Sequence, residues 1–161
     1  MEVNWLAILV AAIVPTITGF IWYNPKVFGA AWMKAADMTE EKMKGANMPL
    51  IFGLSFLFSF MLAMALNSWS IHQMNVPGIF EGDTSPESAA YLADFMAKYG
   101  SNFRTFSHGA VHGFLGGLFI ALPILATNAL FERKGFKYIA VNAGYWIVTI
   151  TIMGGIICGW M

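Results

Sequence analysis

Residues 3–25, VNWLAILVAAIVPTITGFIWYNP, run from Val3 to Pro25 without a single Asp, Glu, Lys or Arg. A hydrocarbon core of about 30 Å needs about 20 helical residues to cross it, so this stretch predicts a membrane-spanning helix. Trp5 and the Trp22-Tyr23 pair bracket it, as expected of amphipathic rings at headgroup depth. At about 1.5 Å per residue the two indoles stand about 26 Å apart. Glu2 replaces the basic start of a secretory leader, so the segment is expected to stay in the mature protein.

Three more charge-free stretches follow: Met48 to Phe80, Thr105 to Phe131 and Tyr138 to Met161. The tail of the second, His72-Gln73-Met74-Asn75-Val76-Pro77-Gly78, is polar and broken by Pro and Gly, which ends that helix near Ser70. Crossing segments must be helical, since an isolated strand in lipid leaves its backbone unpaired. The expected helices are therefore about 3–24, 48–70, 105–131 and 138–161. Pro49 lies harmlessly at a helix start, while Pro15 and Pro123 should kink theirs and free a carbonyl for a neighbour.

Composition agrees. Of 161 residues, 58% are hydrophobic and 11% charged, against roughly 25% charged in a soluble domain. Nine basic residues balance nine acidic ones and there is one cysteine, which argues against a disordered chain, a nucleic-acid binder and a disulfide-stapled module. The fold class expected is all-α: an integral membrane four-helix bundle, a single transmembrane domain over 1–161, with a short extramembrane amphipathic helix.

Charge sets the expected orientation. Lys26, Lys34, Lys42 and Lys44 fall in the 25–47 loop, and Arg133, Lys134 and Lys137 follow the third helix, whereas the 71–104 loop holds only Lys98 and Arg104. The positive-inside rule puts the first and third loops in the cytoplasm and both termini outside an inner membrane. In the outer loop, Ser85-Pro86-Glu87 supplies a cap, an N-terminal proline and an acid, and Gly100 a stop, predicting a helix over about 86–99. Its apolar face, Ala89, Leu92, Ala93, Met96 and Tyr99, suits a structural lid, or otherwise a gate or partner contact. Thr39 to Lys44 carries a weaker helix signal with a solvated face.

The predicted spans contain no carboxylate, lysine or arginine, which counts against a pump. His108 and His112, four residues apart, share one helix face, and ring nitrogens at that spacing reach one metal ion. His72, Asn67, Asn4 and Glu2 lie at the same outward end. Such a cluster suits Zn or Cu, or a response to pH; the plainer alternative is that each ring bonds a carbonyl or water. Gly109, Ala110 and Val111 separate the histidines, so the His-Glu-x-x-His metalloprotease pattern is absent. Gly109, Gly113 and Gly117, with Gly155 and Gly159, mark close helix seams, within the bundle or between subunits. At the inner end Asn24, Thr127, Asn128, Asn142 and Tyr145 form a second polar set that fixes register or lines a vestibule. Met61, Met64 and Cys158 are expected as packed side chains.

The run Gly19-Phe20-Ile21-Trp22-Tyr23-Asn24-Pro25-Lys26-Val27-Phe28-Gly29-Ala30-Ala31-Trp32-Met33-Lys34 resembles the Trp-Tyr-x-Pro-x-x-Phe-Gly-x-x-Trp-Met signature of the domain of unknown function 1761 family. Met1-Glu2-Val3-Asn4-Trp5, His112-Gly113, Asn128-Ala129-Leu130-Phe131-Glu132 and Asn142-Ala143-Gly144-Tyr145 resemble it too, over nearly the whole chain. The resemblance implies a small bacterial multi-pass membrane protein and brings no reaction, cofactor or catalytic residue. The expanded outer loop departs from it. Physically, the signature reads as a membrane-surface elbow: Trp22, Tyr23 and Trp32 at the interface, Pro25 ending the helix, Phe28 and Trp32 paired, and Lys26 and Lys34 facing lipid phosphates.

These readings lead to a non-enzymatic accessory or interaction protein of the bacterial inner membrane, partnered by lipid, other membrane proteins or copies of itself through a glycine seam, and not by nucleic acid. No cofactor is expected unless Zn or Cu occupies the histidines. The alternatives are a transporter or channel for a small neutral solute, and a metal-binding membrane protein centred on His108 and His112.

Overall fold

The computed structural model describes residues 2–161. Helix α1 (Trp5–Trp22) turns through a π-helical segment, Pro25–Gly29, into α2 (Ala30–Ala36) and the single turn α3 (Glu40–Met43). Helix α4 (Met48–Ser70) leads into a 3-10 turn, His72–Asn75, then α5 (Val76–Ile79) and α6 (Pro86–Tyr99). Helix α7 (Phe106–Gly116) continues through a second π segment, Gly117–Ala121, into α8 (Leu122–Phe131), and α9 (Phe136–Gly159) follows. The protein is all-α, with no strand among the described residues. Four stretches, α1, α4, the α7–α8 run and α9, are long and apolar enough to cross a membrane.

Side-chain caps explain where the helices start. Asn4, Asn47, Ser85 and Thr105 accept from the backbone amides of Ala7, Leu50, Ser88 and His108 at 3.0 to 3.3 Å, satisfying donors that a helix leaves unpaired at its N-terminus. Helix α9 starts at Phe136, two residues before the expected Tyr138, because Gly135 takes the extended N-cap conformation.

Helix α9 is the hub, and glycine decides how closely it packs on α7. A Cβ on Gly109 would strike the Gly154 carbonyl and Cys158, one on Gly113 the Ile150 carbonyl, and one on Gly117 the Ile147 backbone. Gly155 and Gly159 meet Phe106 and Thr105 in the same way. The seam therefore lies within the chain, and this ridge is not the one a second copy would use. Gly154, facing Gly109, belongs to it as well.

The two prolines behave differently. Pro15 stays inside α1, and its own carbonyl receives the Tyr145 hydroxyl at 2.7 Å. Pro123 follows the Gly117–Ala121 segment; the looser π turn accommodates the ring and missing N–H that would break an α-helix.

The bundle has two unlike ends. At one, Asn4 Nδ2 donates to Trp160 O at 3.2 Å and Arg104 Nε to Cys158 O at 2.9 Å, beside all three histidines. At the other, Lys134 Nζ donates to Ala36 O at 3.1 Å, joining the two basic segments. The buried cluster Ile8, Ala11, Ala63, Leu66, Met153 and Ile157 closes the histidine half. Toward the basic end the first half of α4, residues 48–58, is exposed throughout, and a cleft of about 700 Å³ opens between α1, α4 and α9.

Helix α6 covers the expected range but packs lightly. Leu92 and Met96 are half-buried, while Ala89, Ala93 and Tyr99 of the expected face are exposed. It is tied down at its C-terminal end, where Gln73 reaches Tyr99 O and Asn102 O at 2.9 and 2.8 Å.

Candidate metal centre

Thr105 caps α7 and so places His108 in the first helical turn, with His112 one turn later on the same face. His72 comes from the other side, in the 3-10 turn after α4. Four hydrogen bonds fix that turn, tying it to α4, to the end of α6 and the loop after it, and, through Trp69, to α7. Gln73, 6% exposed, bonds the two carbonyls named above; Asn75 Nδ2 donates to Ser68 O at 2.8 Å; and Trp69 Nε1 donates to His112 O at 3.0 Å. The Phe103 ring stacks on His108 with centroids 5.3 Å apart, which fixes the outer face of that imidazole.

The result is a convergence of ring nitrogens. His72 Nε2 lies 2.9 Å from His112 Nε2 and 3.1 Å from His108 Nε2, and the three candidate ligand atoms all fall within 4.8 Å of one another. A neutral imidazole nitrogen has either one proton or one in-plane lone pair. His72 Nε2 can therefore make one of these contacts as a proper hydrogen bond but not both. Three lone pairs turned onto one cation satisfy all three rings. Around a tetrahedral ion with Zn–N of about 2.0 to 2.1 Å, nitrogens stand about 3.3 Å apart, so the two short separations must open by a few tenths of an ångström and the third, within 4.8 Å, must close toward that value. Imidazole donors suit Zn, Cu, Fe and Ni. Among the described residues no carboxylate or cysteine joins the three rings.

The other candidates fall out differently. Asn67 is buried on α4, and among the described residues no hydrogen bond joins it to the imidazoles. Asn4 caps α1 and bonds Trp160 O. Glu2 is exposed.

At the basic end the polar set does not form one network. Thr127 and Asn128 are exposed on α8, because Ala129 is the residue that faces α9. Asn24 accepts from Lys26 N at 2.9 Å and starts the π turn. Asn142 accepts from the Tyr23 hydroxyl at 2.9 Å and donates to Tyr138 O. Tyr145 bonds Pro15, and beside it Thr18 and Thr149 share a 2.8 Å hydrogen bond. Tyr23, Thr18 and Thr149 were not expected here, since a Tyr beside Trp at a helix end reads as a headgroup anchor. Trp22 is similarly turned inward, donating to Val141 O at 3.0 Å.

The expected Phe28 and Trp32 pair is not made. Phe28 packs on Trp22 at 4.4 Å and Trp32 on Tyr23 at 5.5 Å. The cause is the π turn, in which Gly29 N donates to Asn24 O at 2.9 Å and folds the segment back on α1. A Cβ at Gly29 would collide with the Tyr23 carbonyl. Lys26 and Lys34 remain exposed.

No curated protein and no solved structure matches the chain. The sequence model of the family described as "Protein of unknown function (DUF1761)" matches residues 6–158, and the chain therefore belongs to that family.

Proposed function

We propose that this is an integral membrane protein of the bacterial cytoplasmic membrane that holds one transition-metal ion between His72, His108 and His112. The observation carrying this reading is that one nitrogen, His72 Nε2, lies within hydrogen-bond distance of two others and has proton or lone pair for one of them. The ion in this reading joins the turn after α4 to α7, and the role is accessory. In this reading the basic segments lie inside and the metal centre faces outward, by the positive-inside rule.

Equilibrium dialysis of the detergent-purified protein against zinc chloride tests it. One ion per chain is expected, with affinity falling at least about tenfold in His72→Ala, His108→Ala and His112→Ala, the lower bound for disturbing even a supporting residue of a metal site. No retained ion, or retention indifferent to all three changes, contradicts the reading.

A second reading rests on the cleft at the basic end, where Thr16, Ser55, Ser59 and Tyr145 line about 700 Å³ beside Pro15 of α1. The cleft is lined mostly by apolar side chains with a few hydroxyls, which suits a small neutral solute. Liposome flux that Ser59→Leu blocks favours it; flux equal to that of empty liposomes contradicts it.

A further inference from the structure

We infer that the metal centre has a fourth position open to exchangeable anions, so that the ligand it takes from outside the chain is a small anion rather than another protein side chain. This rests on the three-histidine reading above and extends it to the chemistry of the missing ligand. A tetrahedral ion needs four donors, and structural sites take all four from protein whereas open sites keep one for solvent or substrate.

Around the imidazoles, Gln73, Asn75, Trp69 and Thr105 are engaged elsewhere and Asn67 is buried. The Gln73 amide bonds Tyr99 O and Asn102 O. Asn75 bonds Ser68 O, and the Trp69 indole bonds His112 O. Thr105 Oγ1 caps His108 N and meets Ser107 Oγ at 3.2 Å. Asn67 is sealed in the bundle at 5% exposure. Phe103 closes one side of His108 with an apolar ring that cannot ligate. His72, by contrast, is exposed, so the position opposite the bundle is reached from solvent.

Charge then selects the ligand. Three neutral imidazoles leave a divalent ion with its full double charge, and a bound ion dominates the electrostatics of such a site. No Asp, Glu or Cys joins the cluster to offset it among the described residues. A monodentate anion supplies both the missing donor and the missing charge.

Cobalt(II) reports this directly, because its visible bands change with ligand number and type. The full-length protein in detergent is loaded with cobalt chloride, and sodium azide is titrated in. The expected result is a saturable shift of the visible bands, one azide per cobalt, unchanged in Asn67→Ala. Cobalt bound by the three histidines with a spectrum indifferent to azide overturns this inference and leaves the metal reading standing. A cobalt spectrum already altered by Asn67→Ala before azide also overturns it, by making Asn67 the fourth ligand. Failure of the protein to bind cobalt, or binding that survives loss of the histidines, overturns both.

Discussion

Gly113 and Gly116 stand three residues apart on the same helix and differ in what surrounds them. A methyl group on Gly113 would run into the Ile150 carbonyl and the Thr151 backbone, whereas on Gly116 the nearest atom, Trp69 Nε1, lies 3.6 Å away. Gly113→Ala is predicted to destabilise the protein by about 1 to 3 kcal/mol through overpacking. Gly116→Ala should be neutral or gain up to about 1 kcal/mol from helix propensity; thermal melts of the two variants in one detergent check the contrast. Tyr23→Phe, which leaves Asn142 without its donor, should cost about 0.5 to 1.5 kcal/mol in the same melts. The spacing of His108 and His112 was legible because four residues bring two rings onto one helical face. His72 was legible only as a residue of the same end, since its approach depends on Gln73 and Trp69 bonding carbonyls 26 to 43 positions away. Tyr23 and Trp22 were not legible, because a ring at a helix end leaves the same trace in sequence whether it turns toward lipid or toward a neighbouring helix.

Among the elements, α6 shows how a loop helix is kept in register by one acid. Asp83 accepts from Ser85 N at 2.9 Å and from the Ser88 hydroxyl, and these bonds, the Ser88 hydroxyl first, hold its carboxyl below the ordinary carboxylate range. A depressed folded value means that the stabilisation is present at neutral pH and is lost as pH falls through that value, below about 3.9. Hydrogen exchange should therefore find the Ser85 and Ser88 amides equally protected from pH 7 to about pH 5 and deprotected at more acid pH. Asp83→Asn should show weak protection throughout. The range of α6 was readable from Ser85-Pro86-Glu87 and Gly100, which act locally. Its thin packing was not, because an apolar face states what a helix can cover and not what is there to be covered. The two π segments were equally hidden, although Pro25 and Pro123 mark where each was needed.

For the molecule as a whole, the histidine end is the tight half of the bundle and the basic end the open one. A metal ion joining the turn after α4 to α7 ties together two spans that otherwise meet mainly through α9, so zinc should raise the melting temperature. At a free concentration of 100 times Kd the gain is about 2.7 kcal/mol, absent from a variant lacking all three histidines. The four long apolar helices were legible from the missing charges, since length and apolarity are properties of contiguous sequence. Which helix would be the hub was not, because from Tyr138 onward α9 is as charge-free as α4 and only the glycines of α7 choose between them. The most direct test of the central claim is the zinc K-edge absorption fine structure of the loaded full-length protein. Three imidazoles and one further light ligand at about 2.0 to 2.1 Å are predicted; sulfur in the first shell, or fewer than three imidazoles, would contradict the account.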